Sequence, residues 1–359
     1  MGKKGYVSPI AIHPGETLRE NLELLEIPQK DFAIRTGLRE ETISRIIQGK
    51  APITLESALK FERVLGISKD FWVKFQAGYD ADRLRLKEQK RIVAEVNYLQ
   101  EYTCYPELVK LGYVKKLGKL SEKVEELRRF FSVDSLSFVQ DAMPVAFRKS
   151  NKKPINHESL AAWLRIGLIE AAKREVSAFD KEKLIANIAK MRKLTKEEPK
   201  LYSAKLIDLC AKCGVVLVYA PALKSTHVNG ATRWISPNKA LVQLSLRYSY
   251  ADVFWFTFFH ELGHIMKHRK KDQFIDLENE KVSLYEEEAN LFAQKNLIPN
   301  QKDYKKLMLQ ISDENWKNHL TNFAEKINID AGIVAGRLAR ETGDWARFSS
   351  FRKRLQFSS

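Results

Sequence analysis

Residues 254–268 read FWFTFFHELGHIMKH. In a helix, residues four apart lie about 40° apart around the axis and about 6 Å along it, so His260 and His264 can turn two imidazoles toward one metal ion. Glu261, next to the first histidine, then stands beside such an ion rather than on it, where a general base belongs. A catalytic zinc takes three protein ligands and keeps one position open for water. The run FWFTFF buries the helix and lowers the local dielectric. Two incidental histidines on a surface helix would be the plainer reading, but six mostly aromatic residues upstream argue against an exposed helix.

A third ligand is expected on a second helix downstream, and SLYEEEANLFAQKNLIP (283–299) meets that demand. Three glutamates compete there: Glu286, Glu287 and Glu288. Glu286 lies four residues before Asn290, so one helix face carries a carboxylate and an amide able to support a histidine from behind. A solvated acidic helix start would look the same, since acids favour a helix N-terminus. His268 adds a third histidine, but one further turn, about 6 Å, separates it from His264 on a continuous helix. It is expected beside the site or on the surface, not on the metal.

Upstream, LYSAKLIDLCAKCG (201–214) reads as a helix stopped by Gly214, and GVVLVYAP (214–221) as a short β-branched strand. GATRWISPNKALVQLSL (230–246) looks like two strands around a Ser-Pro-Asn turn, and LVQLSL is placed to hold an extended substrate by edge pairing. An oxyanion-stabilising donor is also required, with His227, Tyr285 and His319 as weak candidates. Residues 81–200 are polar and helical. The loop MPVAFRKSNKKP (143–154), with two prolines and a basic cluster, marks a boundary. Cys210 and Cys213 form a CxxC without a second pair, which suits buried inert thiols better than a zinc or redox site.

Residues 14–78 read as a run of short helices. PQKDFAIRTG (28–37) is a helix ended by Gly37, and LREETISRIIQGK (38–50) the next, ended by Gly49. Leu55, Ala58, Leu59, Phe61, Val64 and Leu65 are expected on the inner side of the following helix, with Phe71, Trp72 and Phe75 as apolar anchors. A helix, a short turn and a second helix are what a DNA-reading motif needs. Arg39, Thr42 and Arg45 then project outward, an arginine suiting the paired acceptors of guanine, while Gln29 and Lys50 suit phosphates.

The chain has 61 Lys and Arg against 45 Asp and Glu, a net charge of +16. Residues 1–80 hold 12 against 11, so the excess lies mostly outside the segment assigned to DNA. Arg337, Arg340, Arg347, Arg352, Lys353 and Arg354 are expected to be solvated. Three cysteines in 359 residues suggest no disulfide framework. No stretch reaches the roughly 18 apolar residues of a membrane span, and the opening residues lack an apolar signal core. A cytoplasmic protein without a membrane partner is expected.

HELGH followed by EEEANLFA and LIP is similar to the pattern of the ImmA/IrrE metallopeptidases, HExxH with a downstream ExEA(N/D)xFA and a nearby proline. The stretch GATRWI…LVQLSLRY…FWFTFFHELGH resembles the version of that family fused to regulators. The resemblance spans roughly 140–350. It implies a zincin-like domain holding Zn2+ through His260, His264 and Glu286, with Asn290 in support and Glu261 as catalytic base. Residues 13–80 resemble XRE-type domains, and more narrowly HigA-like antitoxins, which implies a homodimer on a palindromic double-stranded DNA operator. The expected architecture is α+β and mostly helical: a helix-turn-helix domain (1–80), a helical linker region (81–142) and a zinc metallopeptidase domain (143–359). The expected function is a transcriptional regulator whose endopeptidase domain cleaves a protein partner, a repressor or toxin component. The competing class is a HigA-like antitoxin that neutralises a toxin by contact, with a structural or vestigial zinc site.

Overall fold

The computed structural model describes residues 8–144, 154–245, 247, 250–270, 273–277 and 283–355. They fall into two compact units, Met1–Asn97 and Tyr98–Ser359.

The first unit is all-helical: α1 (Pro14–Leu24), α2 (Gln29–Thr36), α3 (Glu40–Ile47), α4 (Leu55–Leu65) and α5 (Lys69–Glu95). Pro14 opens α1, and His13 Nδ1 accepts a hydrogen bond from the Gly15 N–H at 2.9 Å. Gly37 closes α2 with φ of 64°, a conformation that costs glycine nothing. Leu18, Leu22, Phe32, Ile43, Ile46, Phe61 and Trp72 form the core, each such side chain contributing about 1.5–3 kcal/mol on burial. Three expected inward residues face solvent: Leu55 is 65%, Leu59 37% and Phe71 44% exposed. Ala58 and Phe61 define the buried line of α4, and Leu55 and Leu59 lie to its side. Trp72 takes the anchoring place at the start of α5.

Helix α5 runs unbroken through position 80, where the sequence suggested a boundary. Residues 81–95 contain no glycine or proline, and the pairs Arg85–Asp82 and Arg91–Glu88 line the helix surface. Residues 81–97 fall in the first unit and 98–142 in the second.

The second unit begins with α6 (Tyr105–Lys110), α7 (Leu120–Phe131), α8 (His157–Ala172), α9 (Lys181–Lys193) and α10 (Pro199–Ala211). Residues 145–153 of the expected boundary loop lie outside the described residues. Strands β1 (Val215–Ala220), β2 (Val228–Ser236), β3 (Lys239–Ser245) and β4 (Phe274–Leu277) form one sheet in the order β1-β3-β2-β4. β1 runs parallel to β3, while β2 is antiparallel to both β3 and β4. The hairpin expected around Ser-Pro-Asn is the β2–β3 connection. β3 is interior, so its main chain is already paired on both sides and cannot take a substrate strand. Among the described residues the edges are β1 and β4.

The pleat of the sheet divides it between two layers. Val215, Leu217, Ala240, Val242 and Leu244 share a core with α11 (Ala251–Lys267). On the opposite face Gln243 Nε2 donates to Trp163 O at 2.7 Å, and Trp163 Nε1 donates to Ala220 O at 3.2 Å, seating α8. α12 (Leu284–Leu297), α13 (Gln301–Gln310), α14 (Trp316–Lys326) and α15 (Ala331–Thr342) complete the unit.

Of the six cations expected in solvent near the C-terminus, Arg340, Lys353 and Arg354 are exposed, while Arg337, Arg347 and Arg352 are half-buried and tie elements of this unit together. Arg352 pairs with Asp252 at 2.9 Å and lies over the Tyr250 ring. Arg337 pairs with Glu341 over Tyr304, Lys353 with Asp330, and Arg347 and Arg340 stack on Trp316 and Phe256. Cys104, Cys210 and Cys213 are buried and free, and burial pushes the Cys104 thiol up to about 11. Among the described residues no helix is long and apolar enough to cross a membrane.

Candidate metal centre

α11 carries FWFTFFHELGH, and its aromatic residues bury it between the sheet and α12. Gly263 lets the two helices meet closely: a Cβ there would stand 3.0 Å from Ala289 Cα and 3.2 Å from Ala289 O. Ser283 caps α12, its hydroxyl accepting from the Glu286 N–H at 3.3 Å.

This crossing brings three donor atoms together. His260 Nε2 lies 3.0 Å from His264 Nε2 and 3.0 Å from Glu286 Oε2, and His264 Nε2 lies 3.6 Å from the same oxygen. Ligand atoms about 2.0–2.1 Å from a tetrahedral zinc stand about 3.3–3.4 Å apart, so the triangle has the right size. Its chemistry also calls for a cation. His260 Nδ1 faces Asn290 Oδ1 at 3.0 Å, which places the imidazole proton on that side. The Nε2 lone pair is then aimed into the triangle. Without a metal a proton serves: burial pulls the His260 pKa down, but the bond to Glu286 and the charges of Asp276, Glu261 and Glu286 outweigh it and raise it to about 9. Burial drives His264 the other way, to about 4. Glu286, despite burial, is held well below the usual carboxylate range by its bonds to the two histidines. Glu287 is exposed, and Glu288 pairs instead with His268.

Glu261 is fully buried next to this triangle, and burial raises its pKa to about 8. Thr232 on β2 donates its hydroxyl to Oε2 at 2.5 Å, while Oε1 has no hydrogen-bond partner among the described residues. Gly230, two residues earlier on the same face of β2, makes room: a Cβ there would stand 2.4 Å from Oε1. From β4, Phe274 stacks on the His264 ring with centroids 4.2 Å apart, and Asp276 brings a third carboxylate within 4.8 Å of His260 and Glu261.

The expected DNA-facing residues are laid out on the first unit. Arg39 is the N-cap of α3, Arg45 lies in its last turn, and Gln29 and Lys50 lie at the start of α2 and beyond the end of α3. All four are exposed, and Thr42 is half-buried.

Comparison with known proteins matches a helix-turn-helix family model to residues 18–72 and the Peptidase_M78 model, an IrrE N-terminal-like domain, to residues 249–339. An uncharacterized HTH-type transcriptional regulator of Escherichia coli, YddM, is 35% identical over 63 residues, 18% of this chain and 67% of that protein. The chain belongs to the XRE-type helix-turn-helix regulators. This regulator is fused to an IrrE-like domain. Two solved structures also match: an addiction module antidote protein of a HigA family from Coxiella burnetii and a putative antidote protein of a plasmid maintenance system from Nostoc punctiforme. Each is 30% identical, with a TM-score of 0.22 and 24% of this chain covered; the match takes in 94% and 92% of their own chains.

In the regulator's second unit, sequence reasoning missed Gly230, Thr232, Phe274, Asp276 and the Glu288–His268 pair. Gly230 and Thr232 do show the two-residue spacing of one strand face. Nothing in the sequence says which helix residue that face meets. Of the candidate oxyanion donors, Tyr285 packs on His268 with centroids 4.9 Å apart, while His319 pairs with Asp313 at 3.3 Å.

Proposed function

We propose that this regulator reads an operator as a homodimer through α3 and hydrolyses a peptide bond of a protein partner, a repressor or toxin component, at a zinc centre in its second unit. The observation that carries the reading is the triangle of His260 Nε2, His264 Nε2 and Glu286 Oε2 with the bare Oε1 of Glu261 beside it. Zinc held there supplies Lewis acidity, enough to lower a water's pKa to about 7. Glu261 takes the proton of the attacking water at Oε1, while Thr232 holds Oε2 and fixes the carboxylate plane. The same carboxyl then returns the proton to the leaving amine nitrogen. β4, the sheet edge bearing Phe274 and Asp276, is the strand free to align an extended peptide by main-chain pairing. In the first unit, Arg39, Thr42 and Arg45 face the bases, and Gln29 and Lys50 the phosphates.

Glu261→Gln tests this reading. The amide keeps the size and one acceptor but cannot take a proton, so the variant should fold, hold zinc and bind the operator as the parent does. Protein N-termini are compared in cells making either form. Fragments that depend on the parent should fall by about 10²–10⁴-fold, the usual worth of a placed base. A variant that matches the parent in fragments and in promoter control would leave a protein that acts by contact alone.

A further inference from the structure

We propose that Glu288 and His268 form a positioning chain that fixes His264 with its Nε2 turned to the metal. This rests on the zinc reading above and concerns residues outside the ligand set.

α11 ends at Lys267, and the next residue, His268, turns extended with φ of −109° and ψ of 169°. Its side chain is 1% exposed and wedged between the rings of Phe274, at 4.8 Å, and Tyr285, at 4.9 Å. Its two nitrogens are both used. Nδ1 lies 3.0 Å from His264 Nδ1, and Nε2 lies 3.0 Å from Glu288 Oε2.

Only one placement of protons satisfies this row when His264 binds a metal. A ligating imidazole is neutral and offers the Nε2 lone pair, so the single proton of His264 sits on Nδ1. It is donated to His268 Nδ1, which must accept. The proton of His268 is then on Nε2, donated to the Glu288 carboxylate, which can only accept. Each ring is locked in one tautomer by the next group, and the carboxylate at the end sets the direction of the whole row. Asn290 does the same for His260 in a single step. α12 thereby supplies the terminal acceptor for both histidines of α11, Asn290 for His260 and, through His268, Glu288 for His264.

The test uses the full chain, stripped of metal by a chelator and titrated with zinc against a chromophoric competitor. His268→Phe keeps a ring between Phe274 and Tyr285 but has no nitrogen. Glu288→Leu changes a half-exposed site and spares the fold if the first variant does not. Each should weaken zinc binding by about 10–100-fold, the usual cost of losing an outer partner of a ligating histidine. Glu288→Gln still accepts through its amide oxygen and should recover most of the affinity. Nitrogen NMR of the zinc-loaded parent should show His268 protonated at Nε2. The chain is overturned if both variants bind zinc within twofold of the parent while His264→Ala loses it, or if His268 is protonated at Nδ1. If His264→Ala binds zinc as the parent does, the metal centre itself falls.

Discussion

Without a cation in the triangle, His260 holds a proton at neutral pH. Burial disfavours that charge, but Glu286 accepts the proton's hydrogen bond, and with Asp276 and Glu261 it raises the pKa to about 9. Zinc must displace this proton, so the two compete for one lone pair. The sign follows directly. Below about pH 9 the folded protein binds the proton ever more fully, and apparent zinc affinity should fall by at least about tenfold per unit of pH, Glu261 adding to the slope below about pH 8; above pH 9 the affinity should level off. His264, lowered by burial to about 4, adds no slope in this range. Competition titrations at pH 7, 8, 9 and 10 check this, and an affinity that stays flat from pH 7 to 9 would show that no proton occupies His260 there. At this scale the HExxH spacing alone placed His260, Glu261 and His264, because i and i+4 on one helix is local geometry. Thr232 and Gly230 were not legible, since their meeting with Glu261 depends on how a strand packs against a helix 29 residues away.

Between elements, the decisive distance is the one between α11 and α12, set by Gly263. Alanine is worth about 1 kcal/mol over glycine inside a helix. Here its Cβ would press on backbone atoms of the neighbouring helix at 3.0 and 3.2 Å, and on Phe292 Cβ at 3.2 Å. Those atoms cannot swing aside, and overpacking of this kind costs about 1–3 kcal/mol. α12 carries Glu286 and Asn290, so any outward shift moves the third ligand and the support of His260 together. Gly263→Ala should therefore lower the melting temperature and weaken zinc binding although no ligand is touched. A variant with parental zinc affinity and a raised melting temperature would show that the helices have slack. Helix periods and glycine stops were readable in the sequence, and so was the β2–β3 hairpin. The interior place of β3 was not, because its parallel partner β1 is brought in by a crossover that no local pattern encodes. Its unbroken burial from Ala240 to Leu244 is the mark of a strand covered on both faces.

For the whole molecule the question is which part of the +16 charge meets DNA. Residues 1–97 hold 17 Lys and Arg against 14 Asp and Glu, so the second unit carries most of the excess. Many of its cations are already engaged, as the pairs Arg352–Asp252, Lys353–Asp330 and Arg337–Glu341 show. The first unit has a core of its own that closes with Trp72 on α5, while Gln76 on the same helix accepts the Ile53 N–H at 3.0 Å. A fragment of residues 1–97 should therefore fold and keep the operator preference of the full chain. Binding is measured for both over a series of salt concentrations. If only the first unit touches phosphates, the two plots of log affinity against log salt share one slope, because that slope counts the phosphates neutralised. Within the fragment, Arg45→Ala should cost about 1–3 kcal/mol on the operator where it reads a base, whereas Lys50→Ala should weaken all sequences alike and lower the slope by about 1. A distinctly steeper slope for the full chain would assign part of the DNA contact to the second unit.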